Sequence, residues 1–490
     1  MADASTMGPD QNGTPETPLY AARKKIHPQA VKGRFRNIKW AILICVLGVY
    51  FFLPFLRWFR GPEAPNQAVL LDIAHERFYF FGIEIWPQEV FYFTGLLVVA
   101  ALSLFLMNAI AGRVWCGYLC PQTLWTDLFY AVERRVEGDR RAREQREKNG
   151  KKTEATIRFL IKHFLWILIA WATGGAWVLY FADAPTLLHQ LFTLQAPWTA
   201  YMWMGILTFT TYMMGGIFRE QVCIYMCPWP RIQAALTDEY ALNVTYERDR
   251  GEPRGRAKLN DALRAEGLPA GDCVDCDQCV VVCPTGVDIR NGLQLGCIQC
   301  GLCIDACNNV MKKVGRAPNL IYYDTDINIK LREEGKQPLK PRIFRIRTVM
   351  YMVLICAVLG VMATSLLNRQ TVIFSVLHDR NPLFVRLSDG SVRNAYTIRI
   401  GNKLHEARTF ALTLHGLDNA RLEMVNRRQS SDTGTPEITV GPDQTLEARV
   451  LVTMTDNIPD RHGIMFEITD ISDAKNNVKV KDHFINEHRR

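Results

Sequence analysis

Five stretches of the chain are predominantly apolar, 40–56, 90–111, 164–182, 191–218 and 348–368, with charged or turn-rich sequence between them. A helix crosses the hydrocarbon of a bilayer in about 20 such residues, so the pattern predicts five transmembrane helices. The fourth stretch is longer than a crossing needs, and Pro197 marks where its helix begins. Beyond residue 371 the period changes to two: Tyr396, Ile398 and Ile400 alternate with polar neighbours, as do Phe410, Leu412 and Leu414, then Val450, Val452 and Met454, then Ile464, Phe466 and Ile468. Alternation is the mark of half-buried strands. With the turn Ser388-Asp389-Gly390 after 384–387, about seven strands are expected, enough for an all-β immunoglobulin-like sandwich.

The predicted organisation is a multi-domain membrane protein. A disordered tail covers 1–36, four helices lie within 37–246, and a linker rich in Pro and Gly covers 247–271. A cysteine-rich module follows over 272–320, then a second linker over 321–347, the fifth helix at 348–368 and the sandwich over 371–490. No cleavage pattern precedes the first apolar stretch, which is expected to stay as an anchor.

Charge orients the helices. Arg23, Lys24, Lys25, Lys32, Arg34, Arg36 and Lys39 precede the first stretch, and a dense basic run covers 134–152, whereas the loop 60–89 has only Arg60 and Arg77 and the loop 183–190 has neither Lys nor Arg. The positive-inside rule places the N-terminus and the cysteine-rich module on the cytoplasmic side; five crossings then put the sandwich outside. Residues 357–490 hold no cysteine, which suits an exported domain. From Glu133 onward, Glu133, Glu137, Asp139, Glu144 and Glu147 alternate with the basic residues of the run 134–152, as in a solvated helical extension. These loops account for the net charge of +9, so nucleic acid is excluded as a partner.

Eight of the fourteen cysteines fall in one short segment: Cys273, Cys276, Cys279 and Cys283 followed by Pro284, then Cys297, Cys300, Cys303 and Cys307. The first set is the C-x2-C-x2-C-x3-C-P pattern of bacterial ferredoxins, and the second repeats it with Asn308 in place of proline. In such pairs the fourth cysteine serves the other cluster. Two [4Fe–4S] clusters are therefore expected, one on Cys273, Cys276, Cys279 and Cys307, the other on Cys297, Cys300, Cys303 and Cys283. Structural zinc sites and disulfides fit this even repeat poorly.

A second motif occurs twice, at the ends of the second and fourth apolar stretches: Cys116-Gly117-Tyr118-Leu119-Cys120-Pro121 and Cys223-Ile224-Tyr225-Met226-Cys227-Pro228. Cysteines four apart share a helix face, so each pair can present both sulfurs to one partner. Three readings stand open: helix ends packed with small cysteines, coordination of a soft metal, Cu(I) above all, or a redox-active dithiol. Cys45 and Cys356, each alone in an apolar helix, read as buried filler, as do the intramembrane methionines. His378, His405, His415, Met454, His462 and Met465 in the sandwich show no ligand spacing for copper and read as core or surface. No C-x-x-C-H, no histidine inside a span, no Gly-x-Gly-x-x-Gly and no P-loop is present. Haem, a built-in nicotinamide or flavin domain and an NTPase are thereby unsupported, and electrons must come from a partner.

Taken in order, these motifs resemble the cytochrome c oxidase accessory proteins of the CcoG/FixG family, over nearly the whole chain from about residue 35. That resemblance implies a role in assembling cbb3-type oxidase by reducing Cu(II) to Cu(I), with Cys116, Cys120, Cys223 and Cys227 as copper contacts and catalytic residues. Implied partners are oxidase subunits or copper-delivery proteins, a cytoplasmic electron donor and membrane lipid, with homo-oligomerisation open. Two alternatives belong to other classes: a quinone-linked conduit to a periplasmic partner, as in similar membrane ferredoxins of nitrate and nitrous oxide reduction, and a non-enzymatic assembly scaffold.

Overall fold

The computed structural model describes residues 26–61, 64–149, 152–340, 342–404, 406–417, 420–425, 436–455, 460–472 and 477–486; most of the expected tail and His405 lie outside the described residues. The chain divides into two compact units, residues 1–56 with 67–359, and residues 57–66 with 360–490.

Among the described residues four helices are long and apolar enough to cross a membrane: Arg34–Phe55, Pro87–Ala111, Glu154–Val178 and Ile346–Leu367. They present exposed Leu97, Phe164, Val353 and Val361, side chains that suit hydrocarbon rather than water. This is a multi-pass membrane protein. Cys45 and Cys356 are exposed on such faces, which corrects their reading as buried filler.

The expected fourth span is not a continuous α-helix. The stretch 191–218 begins in a short helix, Ala184–Phe192, whose N-terminus Asp183 caps through Thr186. After Pro197 a new α-helix runs over Trp198–Thr211, 14 residues, and then widens into a π-helix over Tyr212–Phe218. Close packing accompanies the change. A Cβ on Gly215 would stand 3.2 Å from the Phe129 ring, and one on Gly216 3.0 Å from Trp166. Hydrophobicity recorded the apolar length of this stretch but not its winding. With four long helices instead of five, counting crossings no longer places the C-terminus.

The run 134–152 also differs from expectation. It is helical over Arg140–Asn149, but not wholly solvated. Arg143 turns inward to ion pairs with Glu133 at 2.9 Å and Glu137 at 3.1 Å. The stretch 247–271 is folded as well. It carries the helices Arg248–Gly251 and Ala257–Ala265, and Asn260 Nδ2 donates to the carbonyls of Gly271 at 2.9 Å and Cys273 at 3.2 Å. Antiparallel strands Asn243–Tyr246 and Ile321–Asp324 close the cysteine-rich module at its two ends.

The second unit contains two antiparallel sheets. One runs, in spatial order, Arg421–Met424, Thr445–Met454, Val392–Asn402 and Val372–His378, with Val385–Arg386 also on Val392–Asn402. The other runs Glu437–Val440, Arg408–His415, Arg461–Asp470 and Asn477–Ile485. Alternate residues meet between the sheets: Tyr396, Ile398, Ile400, Phe410, Leu412, Val450, Val452, Phe466 and Phe484 are fully buried. Among the described residues His378 pairs with Asn394, His415 with Glu467 and His462 with the Gly416 carbonyl.

Candidate functional site

The two cysteine sets form loops of one shape. Asp275 and Asp277, on either side of Cys276, have φ of 50° and 55°; Gln299 and Gly301, on either side of Cys300, have 54° and 72°. Successive left-handed residues turn backbone N–H groups inward, an arrangement suited to an anionic group. Arg290 braces the first loop through Asp275 at 2.8 Å, Asp277 at 2.6 Å and Asp288 at 2.7 Å. Gln299 braces the second: its side chain bonds Asn243, and its carbonyl accepts from Tyr323. Cys283 follows the short helix Gln278–Val281, where Pro284 forbids continuation, while Cys307 lies inside the helix Leu302–Lys313. Asn308, in the place of the missing proline, pairs with Asn319 and leaves that helix intact.

Each loop encloses a small hollow. Cys273, Cys276, Cys279 and Cys307 line one; Cys283, Cys297, Cys300 and Cys303 line the other, with Cys279 on the wall between. The fourth cysteine of each run thus reaches across to the other hollow. All fourteen cysteines are free thiols. Among the described residues no three His, Cys, Asp or Glu side chains close on a single metal ion. Soft sulfur donors set around hollows, too spread for one ion, fit a [4Fe–4S] cluster and not zinc. Burial, and after it the neighbouring sulfurs, pushes Cys307 up to about 12; burial does the same for Cys279 and Cys297. Such thiols stay protonated near neutrality unless a bound cation holds them as thiolates.

The two C-x3-C-P motifs are equally alike. Gly112 ends the helix Phe91–Ala111 with φ 51° and ψ −122°, and Arg219 ends the π-helix with φ 49° and ψ −117°. A short helical turn follows each, Val114–Tyr118 and Val222–Met226, and the second cysteine donates its N–H five residues back, Cys120 to Trp115 at 2.9 Å and Cys227 to Val222 at 2.8 Å. Pro121 and Pro228 open the next helical segments. Arg219 stands where the first motif has glycine, a costly backbone for an arginine. An ion pair with Glu133 at 2.8 Å and the rings of Trp166 and Tyr130 hold it there.

The two motifs come within electrostatic reach of each other as a result. Cys116 lies within electrostatic reach of Cys120, Cys223 and Cys227; burial first, then those sulfurs, pushes its thiol up to about 12. Burial, followed by Cys120 and Cys227, raises Cys223 to about 12 as well. The group abuts the second cluster loop. Cys116 shares one buried core with Ile298, Cys300 and Val282. Tyr118 Oη donates to the Cys300 carbonyl at 2.9 Å, the Arg113 guanidinium to that of Leu295 at 2.6 Å, and the Arg113 N–H to Gln299 Oε1 at 2.8 Å. Gly117 permits this approach. A Cβ there would stand 2.7 Å from the Ile298 carbonyl oxygen and 3.1 Å from Cys300 Cα. Gly117→Ala is therefore expected to cost about 1–3 kcal/mol and to alter the paramagnetic signature of the second cluster while sparing the first. Electron paramagnetic resonance spectra of the reduced protein check this.

Comparison with known proteins places the chain. Nitrogen fixation protein FixG of Rhizobium meliloti is 47% identical over 462 residues, 89% of this chain and 88% of that one. The chain belongs to the FixG family. Protein RdxA of Cereibacter sphaeroides is 51% identical over 402 residues, 81% of this chain and 84% of its own, and Protein RdxB of the same organism 48% over 403 residues, 82% and 84%. Residues 218–326 match a 4Fe-4S dicluster domain, 91–137 a 4Fe-4S binding domain, and 362–487 the IG-like fold at the C-terminal of FixG, which its description assigns to an oxidoreductase. A crystal structure of a FixG-related protein from Vibrio parahaemolyticus aligns with 24% of this chain and all of its own, at 23% identity and a TM-score of 0.21. In this FixG-family chain Arg113, Gln299 and Tyr118, the last inside the first C-x3-C-P motif, join that motif to the second cluster loop.

Proposed function

We propose that this FixG-family oxidoreductase reduces Cu(II) to Cu(I) at Cys116, Cys120, Cys223 and Cys227, in the service of cbb3-type oxidase assembly. The observation that carries the proposal is the packing of Cys116, itself within electrostatic reach of the other three thiols, against Ile298 and Cys300, which line the second hollow. Bound in the two hollows, [4Fe–4S] clusters supply single electrons at low potential. The chain's own thiols do the rest. They take up the copper ion, and their preference for Cu(I) favours the one-electron reduced product. Lys39, 1% exposed and within reach of both Cys223 and Cys300, compensates negative charge between the two sulfur groups.

In this proposal the ligand sets are Cys273, Cys276, Cys279 and Cys307, and Cys283, Cys297, Cys300 and Cys303. The basic N-terminal segment and the cluster module face the cytoplasm, where a soluble donor delivers electrons. The helix Ile346–Leu367 carries the immunoglobulin-like unit to the periplasmic side, toward oxidase subunits or copper-delivery proteins. Replacing all four C-x3-C-P cysteines by serine is expected to slow Cu(II) reduction at least about 100-fold with both clusters retained. Undiminished reduction removes the thiols from the chemistry.

One observation favours a second reading. The 4Fe-4S binding model over 91–137 includes Cys116 and Cys120, so the four sulfurs would instead hold a cluster of their own. Iron analysis separates the two: about eight iron atoms per chain for the copper reading, about twelve for the other.

A further inference from the structure

We propose a binding site for a phosphate-bearing anion where the first membrane helix, Arg34–Phe52, meets the cluster module. A hollow there is lined by Lys32, Arg36, Trp40 and Arg134 and by Val282 and Pro284 of the module. Arg36 is 7% exposed. Its Nη1 donates to both carboxylate oxygens of Asp127 at 2.8 Å, but its Nη2 is buried without a partner. Arg134 also lines the hollow, and among the described residues its guanidinium forms no ion pair or hydrogen bond. Asp127, Asp139 and Glu133 act on Arg134 only at longer range; burial, then the like charge of Arg36, pulls it below the ordinary arginine range.

The hollow is therefore short of negative charge. Among the described residues Asp127 is the one acidic residue on its wall, and Arg36 and Lys39 already share that carboxylate. Against it stand Lys32, Arg36 and Arg134. A buried guanidinium N–H without an acceptor is costly, and the site is completed when an anion supplies the one that Arg36 Nη2 lacks. Phosphate suits it because the guanidinium fork presents paired N–H groups to paired oxygens. Position favours a lipid headgroup over free phosphate. The hollow lies at the end of a membrane helix, and Trp40, whose ring centroid is 4.6 Å from the Arg36 guanidinium, is the aromatic type found at headgroup depth.

The test uses the purified full-length protein in neutral detergent, with its thermal midpoint followed as phosphatidylglycerol, phosphatidylcholine or inorganic phosphate is added. Phosphatidylglycerol is expected to raise the midpoint and phosphatidylcholine to leave it unchanged. Arg134→Gln should weaken the response at least about tenfold in apparent affinity. Arg141→Gln, at an exposed position on the same basic run, should leave it intact. Lys32→Gln provides a second variant if Arg134→Gln does not fold. A response to inorganic phosphate as well assigns the site to any phosphate, whereas a response to phosphatidylglycerol alone assigns it to the lipid. No response to either, a full response in Arg134→Gln, or an equal loss in Arg141→Gln overturns the proposal.

Discussion

Glu133→Gln is expected to destabilise the protein by about 3–5 kcal/mol, the cost of leaving buried cations without their counter-ion. Glu133 is 1% exposed, and one of its oxygens takes ion pairs from Arg219 at 2.8 Å, Arg143 at 2.9 Å and Lys162 at 3.7 Å. Glutamine keeps the shape and removes the charge. Glu137 holds Arg143 and Lys162, but among the described residues Arg219 has no second carboxylate ion pair. Arg219 is also the strained residue that launches the second C-x3-C-P motif, so its release loosens Cys223 and Cys227 along with the fold. Thermal midpoints of the cluster-loaded variant and of the wild type, together with the alkylation rates of those thiols, measure both effects. An unchanged midpoint would mean that Glu133 does not hold the site together.

The same pairing sets a pH signature. Burial alone would raise the Glu133 carboxyl, but Arg219 and Arg143 outweigh it and hold it near 2, against an ordinary value of 4.5. A depressed native pKa means that the ionised form favours folding above the unfolded value. The stability gap between wild type and Glu133→Gln should therefore stay constant from neutral pH down to about 4.5 and close as pH falls further toward 2.

The second large effect concerns which cysteine serves which hollow. If Cys283 belongs with Cys297, Cys300 and Cys303, then Cys283→Ser removes one cluster, and adding Cys300→Ser removes no more; about four iron atoms per chain remain. Combining Cys283→Ser with Cys273→Ser should instead leave almost none. Ligation within each run predicts the reverse: Cys283 and Cys273 would share a cluster, and that double variant would keep about four iron atoms. The hollows support the crossed arrangement, because Cys307 and Cys283 each lie with the three cysteines of the other run. Iron content and spectra of the two double variants distinguish the schemes without reference to activity.

Much of this was legible in the chain. The spacing of Cys273 to Cys307 states its chemistry because cluster ligation constrains backbone geometry locally, and alternation such as Tyr396-Ile398-Ile400 states strand faces because the pleat has a period of two. The doubled C-x3-C-P motif likewise exposed the kinship of the two helix ends. Hidden features depend on residues distant in sequence. The π-helical stretch Tyr212–Phe218 accompanies the contacts of Gly215 and Gly216 with Phe129 and Trp166, which hydrophobicity does not record. Arg36, Lys39 and Arg143 looked like topology signals, yet they are buried against Asp127 and Glu133. The contact of Gly117 with Ile298 and Cys300 joins segments about 180 residues apart, and no local pattern announces it.

The most direct test of the account is a single turnover. Protein purified without oxygen and loaded with its clusters is reduced, freed of reductant and mixed with stoichiometric Cu(II), while cluster oxidation and Cu(I) formation are followed together. The account predicts that the two appear at one rate and in equal amounts, and that both are lost when Cys116, Cys120, Cys223 and Cys227 are replaced by serine. Clusters that stay reduced in the presence of Cu(II), or a four-serine variant that reacts like the wild type, would contradict it.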